Sequence, residues 1–211
     1  MEQYRELLKN RQPLFYNMQG ISVSAVLLPL LEISGDLHIL FEVRARHLKR
    51  QPGEICFPGG RVEPKELKRP QDAAIRETYE EINVPRESID LIGPLDYFIS
   101  PIGSLIYPFL GKLNIDELPT PNYDEVAEVF LVPLSFLLDA EPEQSKLEIG
   151  TRFGEGFPFH RLPDRYQPGW RLLGTSPIYF YQYGERLIWG ATAGILHSFL
   201  EMYRKNAVLP G

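Results

Sequence analysis

Cysteine is nearly absent from this 211-residue chain: Cys56 stands alone. No internal disulfide can form, which points to a reducing compartment. Basic residues are the minority, 22 Lys and Arg against 28 Asp and Glu, leaving a net charge of −6. That balance gives no electrostatic reason to expect a nucleic-acid polymer as partner. Long apolar runs are missing too, since "AVLLPLL" (Ala25–Leu31) is far too short to span a bilayer. The opening "MEQYRELLKN" lacks the apolar centre of a signal peptide, and the closing "VLPG" is no peroxisomal address. These absences predict a soluble, cytoplasmic protein with no membrane partner. Repeats, low-complexity tracts and linker-like composition breaks are also missing. A 44% share of hydrophobic residues is enough for a substantial core, and the length predicts one domain over residues 1–211.

Local pattern places the elements. Residues 2–10 read as a short amphipathic helix. "ISVSAVLLPLLE" and "LHILFEVRA" are strand-like runs joined by a turn at "ISGD". A loop rich in Gly and Pro, "QPGEICFPGG", leads to a polar stretch and then a helix that starts near Pro70. Asn83, which tolerates the left-handed conformation, and Pro85 end that helix. "LDYFIS", "SLIYPFLGKL", "AEVFLV" and "PIYFYQYG" are further strand candidates. A last helix is expected over about 191–204, with Ile195, Phe199 and Met202 facing the core. Strands and helices mix without strict alternation, so the prediction is a mixed β-sheet between helices.

The helix after Pro70 carries "RETYEEINV" (Arg76–Val84), with Glu77, Glu80 and Glu81 as close neighbours. Like charges three and four residues apart cost an isolated helix about 0.2–0.5 kcal/mol per pair. At 100° per residue Ile75, Tyr79 and Ile82 form the buried stripe, and the three acids are expected on the opposite side. An acidic patch alone is most often a solvated face. The sharper reading is a magnesium or manganese site, because hard cations take oxygen ligands and neutralise crowded carboxylates. Upstream, Gly59 and Gly60 let the backbone approach a ligand closely. Glu66, or alternatively Glu63, is placed to be held by Arg76, which also reaches Glu80 one turn on.

With these residues in view, the chain resembles the Nudix hydrolase family, whose signature is G-x5-E-x7-R-E-U-x-E-E-x-G-U with U a bulky apolar residue. Gly60, Glu66, Arg76, Glu77, Glu80, Glu81 and Val84 match. Residues 67–75 make the spacer two longer than the pattern, Thr78 replaces the apolar residue, and Asn83 replaces the glycine. A second pattern, L-L-T-x-R-[SA]-x3-R-x3-G-x3-F-P-G-G, marks coenzyme A diphosphatases of that family. In "LFEVRARHLKRQPGEICFPGG", Leu40, Arg44, Ala45, Gly53 and Phe57–Gly60 match, with Lys49 at the second Arg. The tail "LIWGATAGIL" is similar to the end of the same subfamily, whereas residues 140–180 match it only loosely.

The resemblance implies a Nudix α/β/α sandwich, with the box at about 60–84. It also implies Mg²⁺- or Mn²⁺-dependent hydrolysis of a small-molecule diphosphate. Coenzyme A would be cut to 4′-phosphopantetheine and adenosine 3′,5′-bisphosphate. Glu77, Glu80 and Glu81 would hold metal; Glu80 and Glu125 are the catalytic candidates; Arg44, Lys49, Gly59 and Gly60 would bind substrate; Glu66 and Arg76 would brace the site. Glu125 is preferred to Asp124 and Glu128 because "DEV" resembles the subfamily. Arg46 and Arg50 extend the basic run, to which His47 belongs. Trp189, Tyr179, Phe180 and Tyr181 are read mainly as core, with stacking on adenine as the rarer use. Cys56 reads as a buried strand residue. Two rivals stand beside this reading, a Nudix hydrolase of ADP-ribose or another nucleoside diphosphate derivative, and a non-catalytic nucleotide-sensing module. The sequence leaves a homodimer open.

Overall fold

A computed structural model of the chain describes residues 1–9, 22–101 and 103–207. Helix α1 covers Glu2–Leu8, while Asn10 and Ile21, expected in the first helix and first strand, lie outside the described residues. The strands are β1 (Ser22–Ile33), β2 (Asp36–Arg44), β3 (Ile55–Cys56), β4 (Gly59–Arg61), β5 (Ile89–Pro94), β6 (Phe98–Ile99), β7 (Ser104–Leu113) and β8 (Val126–Pro133). They share one sheet, with β1 at its middle, antiparallel to β2 and β4 and parallel to β7. Outside these, β2 pairs β3 and β8, and β7 pairs β5 and β6, all antiparallel. The sheet is mixed, as the patterning predicted.

Alternation along β1 explains the layers. Val23, Ala25, Leu27 and Leu31 point to one face, where helix α2 (Pro70–Ile82) packs through Ala73, Ala74 and Ile82. Leu28 and Leu30 point to the other, covered by α3 (Leu134–Asp139) and α4 (Gly190–Ala207) through Leu137, Leu196, Phe199 and Leu200. A two-residue period in the strands and a helix on each face make an α/β/α sandwich.

Several expectations change. The buried stripe of α4 centres on Ile195, Leu196, Phe199 and Leu200; Met202, expected in the core, lies at its edge and is 39% exposed. "LDYFIS" yields only the short β6, and the preceding β5 is an extra strand whose alternation is interrupted by a register shift between Leu91 and Gly93. The loosely placed segment is a ribbon: β9 (Glu143–Arg152) pairs over its whole length with β10 (Trp170–Tyr183), which then pairs β11 (Arg186–Ile188). Most of β9 and the first half of β10 are exposed on both faces, so no alternation toward a core marks them in the sequence. The loop between them gathers Phe153, Phe157, Phe159 and Tyr166, with the first two rings stacked at 4.1 Å.

Candidate metal and phosphate site

The acids of α2 gather around Arg76. Its guanidinium grips Glu66 with both ends of the fork, Nε to Oε1 at 3.0 Å and Nη2 to Oε2 at 3.1 Å. Nη1 donates to Glu77 Oε1 at 2.8 Å and to Glu80 Oε2 at 3.0 Å, and Nη2 also reaches the Arg61 carbonyl. One planar, always-charged group thus bridges loop and helix, which a lysine cannot imitate. Glu66 is buried, its carboxyl held below the usual range first by the Arg76 hydrogen bonds. Its Oε2 also accepts the Glu63 amide at 2.9 Å, closing a capping box around the turn Pro64–Glu66. Glu63 itself points outward to Lys65. The geometry therefore assigns the bracing position to Glu66.

The expected helix orientation is wrong for two residues. Tyr79 is 48% exposed, beneath the Arg86 guanidinium, whereas Glu81 is only 2% exposed and sits at the centre of the sheet-facing side with Ala74 and Thr78. Small residues let α2 lie close to the sheet, so the helix turns its alanines inward and its tyrosine outward. Thr78 tolerates burial by donating its hydroxyl to the Ala74 carbonyl at 2.7 Å. The three acids are graded in depth: Glu81 buried, Glu77 partly buried, Glu80 exposed. Asn83 does end the helix in the left-handed conformation, at φ 54°, and donates to the Thr120 carbonyl.

Both glycines of "FPGG" serve the acids. Gly59 lies against β1, where a β-carbon would strike the Ala25 carbonyl and the Val26 backbone; its amide donates to Glu81 Oε2 at 2.8 Å. A β-carbon on Gly60 would collide with the Glu77 carboxylate. Arg44, at the end of β2, brings Nη1 to 4.0 Å from Glu81 Oε1. Lys49 and Arg50 are exposed, and the Arg50 carbonyl accepts from Arg44 Nε at 3.5 Å. Asn122 caps the far end of α2, its amide on the Glu81 carbonyl and its side chain on the Glu80 carbonyl. That cap carries the next residues inward, and the Glu125 carbonyl accepts the Ala45 amide. Glu125 itself is exposed, and its charge is felt by Glu77. Glu128 is committed elsewhere, to Arg186 at 3.2 Å beside a groove of about 810 Å³ that Trp189 also lines. Trp189 is thus not core, whereas Tyr181 is, with its hydroxyl on His197 and Tyr179 stacked on the same ring.

Sequence reading does not single out Glu42. It stands where the second pattern carries threonine, within the otherwise apolar run 39–43 of β2. Leu40 and Glu42 share the α2 face of β2, while Ile39, Phe41 and Val43 share the other. A charge at a core-facing position of a buried strand was the available signal. Cys56, its cross-strand neighbour, donates its thiol to Glu42 Oε1 at 3.1 Å.

Burial first, and then the charge of Glu42, pushes the Glu81 carboxyl above the ordinary carboxylate range. Burial does the same to Glu42 and Glu77, and it raises the Cys56 thiol. Among the described residues no three acidic, His or Cys side chains converge as a finished metal cage, because Arg76 holds Glu77 and Glu80. The donor set nevertheless fits a hard divalent cation: all oxygens, graded from buried to exposed, with an unpartnered buried oxygen on Glu42.

A family profile described as NUDIX domain matches residues 22–149. The chain is similar to the peroxisomal coenzyme A diphosphatase NUDT7 of Mus musculus, 37% identical over 136 residues, spanning 64% of this chain and 56% of the mouse protein. It is also similar to the peroxisomal coenzyme A diphosphatase ndx-8 of Caenorhabditis elegans, 36% identical over 150 residues, 70% of this chain and 64% of that protein. The match thus spans less than two thirds of either relative. A MutT/nudix family protein from Enterococcus faecalis superposes with TM-score 0.53 over 96% of this chain and 69% of that one, at 17% identity.

Proposed function

The chain belongs to the Nudix hydrolase family, and on that premise we propose that it hydrolyses the diphosphate bond of coenzyme A or its acyl derivatives in a Mg²⁺- or Mn²⁺-dependent reaction. The observation that carries this reading is the joining of the graded acids of α2 to Arg44 at the mouth of "FPGG". Two relatives named coenzyme A diphosphatases support the choice of substrate.

In this reading Glu77, Glu80 and Glu81 hold the metal. A divalent cation bound there would neutralise the diphosphate and polarise the attacking water. Arg76 ties Glu66, Glu77 and Glu80 into one hydrogen-bonded group that bridges the loop and the helix. Gly59 pins one oxygen of Glu81 through its amide. Arg44 meets a phosphate oxygen of the substrate, and the outer basic residue Lys49 attracts the rest of the anion. Glu125 takes the proton from water as phosphorus is attacked. The products would be 4′-phosphopantetheine and adenosine 3′,5′-bisphosphate.

The alternative is another nucleoside diphosphate derivative such as ADP-ribose, since specificity lies outside the acids. Incubation with coenzyme A, ADP-ribose and NADH in Mg²⁺ or Mn²⁺, with products identified by mass spectrometry, separates the two. Fastest cleavage of coenzyme A is the expected result. Turnover of ADP-ribose alone would move the assignment, and no metal-dependent turnover of any would leave a nucleotide-sensing module.

A further inference from the structure

Glu42 is wholly buried on β2, and one of its two oxygens is explained: Oε1 accepts the Cys56 thiol. Oε2 is, among the described residues, a buried side-chain oxygen without any hydrogen-bond partner. Neither protonation state satisfies it. A proton on Oε2 finds no acceptor, and an ionised carboxylate finds no donor or bonded cation. Buried polar atoms in folded proteins are almost always paired, so this one calls for a partner that the chain does not supply.

The surroundings say what kind. The strand register sets Glu42 opposite Cys56, three residues before Gly59, whose amide holds Glu81. Glu42 is the strongest charged neighbour of Glu81, and Glu42 in turn feels Glu125 and Glu77. Glu42 and Glu81 are therefore buried neighbours, with the charges of Glu77 and Glu125 felt behind them. The cations nearby do not balance them: Arg76 is spent on Glu66, Glu77 and Glu80, which leaves Arg44. Two buried carboxylates side by side, one with an unmet oxygen, suit a hard divalent cation better than a further hydrogen bond.

Building on the metal-dependent reading above, we propose that Glu42 is an additional oxygen ligand of the divalent cation held by the α2 glutamates. The sheet, as well as the helix, then contributes to the centre, and the Cys56 thiol acts as a positioning group that fixes the carboxylate through its other oxygen.

The test is Mn²⁺ binding to the metal-stripped full chain, followed by electron paramagnetic resonance of the free ion. Wild type, Glu42→Gln and Glu81→Gln are compared, with metal-free melting temperatures taken alongside. Glu42→Leu is added because an apolar side chain of similar size suits the position if the amide does not fold. The expected result is at least tenfold weaker Mn²⁺ binding in each Glu42 variant, with a metal-free melting temperature no lower than that of wild type. Cys56→Ser, which keeps a donor on Oε1, should bind within about twofold of wild type. Glu42 variants that bind Mn²⁺ like wild type, while Glu81→Gln binds more weakly, would overturn the inference and leave the proposed function standing. Failure of wild type to bind Mn²⁺ would overturn both.

Discussion

Helices α2 and α4 pack on opposite faces of one sheet but bury different chemistry. Under α4 the contacts are apolar, with Leu196, Phe199 and Leu200 against Leu28, Phe41 and Phe130. Under α2 the apolar contacts of Ala73, Ala74 and Ile82 are interrupted by Glu81, Thr78 and, from the sheet, Glu42. Desolvating a carboxylate costs free energy that an aliphatic side chain would not. One face therefore supplies stability, and the other gives some of it up to hold oxygens where a cation and a phosphate can use them.

The sharpest way to break this division is to exchange the effects. Leu196→Ala should cost about 2–5 kcal/mol of stability, the range for emptying a fully buried aliphatic site. Activity per folded molecule should stay unchanged, as read from denaturant unfolding and from rates corrected for the folded fraction. A loss of turnover beyond that correction would show that the α4 face also shapes the site.

Glu81→Gln should do the opposite. Loss of its carboxylate is expected to remove about 3 kcal/mol of transition-state stabilisation, roughly two orders of magnitude in rate. Metal-free stability should hold or rise, because an amide removes the cost of burying an ionisable carboxyl beside Glu42 and Glu77. Comparable activity, or a clear fall in the metal-free melting temperature, would contradict the division.

The same contrast explains what was legible in the sequence. Period-2 strands and the helix start at Pro70 could be read because they face a core or obey capping rules. The i,i+4 contact of Arg76 to Glu80 followed from spacing, whereas spacing left Glu63 and Glu66 both open as its loop partner. The depth of Glu81 did not follow, because helical pattern assumes that the apolar residues mark the inside, and here Tyr79 is outside. Glu42 was passed over for a related reason: a motif records which residues match, and this one is a mismatch, marked only by its charge among apolar neighbours. The ribbon β9–β10 faces solvent on both sides for much of its length and so carries no pattern to read.

Arg44 and Lys49 sharpen the comparison within the α2 face. Arg44 stands near Glu81, at the acids, whereas Lys49 is on the exposed loop. Charge-assisted bonds to phosphate contribute about 1.5–3 kcal/mol when partly shielded from water. Arg44→Ala should therefore lower kcat/KM roughly tenfold to a hundredfold for coenzyme A and for its 3′-dephospho form alike. Lys49→Ala should cost about tenfold or less, and only for the form carrying the 3′-phosphate. If wild type is indifferent to the 3′-phosphate, Lys49 has no such role.

The smallest expected effect is the pH dependence of stability in EDTA, and its sign differs between the two faces. Glu81, Glu42 and Glu77 have carboxyls raised above 4.5 in the folded protein, chiefly by burial. Between 4.5 and those raised values the folded chain binds protons that the unfolded chain has released, so stability falls as pH rises. Their contribution is complete below 4.5 and is lost as pH climbs through the folded values. On the α4 face, His197 is held below 6.5 by burial, beside Tyr179 and Tyr181. Its contribution runs the other way, being complete above 6.5 and lost as pH drops toward the lowered value. Above 6.5 the acids carry most of the change, and the Cys56 thiol, raised by burial, adds to it in the same direction as pH nears 9. The melting temperature of the metal-free protein should therefore fall by a few degrees between pH 6.5 and 8.5. Glu81→Gln should flatten that slope, because the acid that sits deepest no longer titrates. Saturating Mn²⁺ should flatten or reverse it as well, since the ion competes with protons for the same oxygens. A wild-type melting temperature that rises with pH in EDTA would mean that the buried acids stay ionised without a metal, satisfied by the arginines around them.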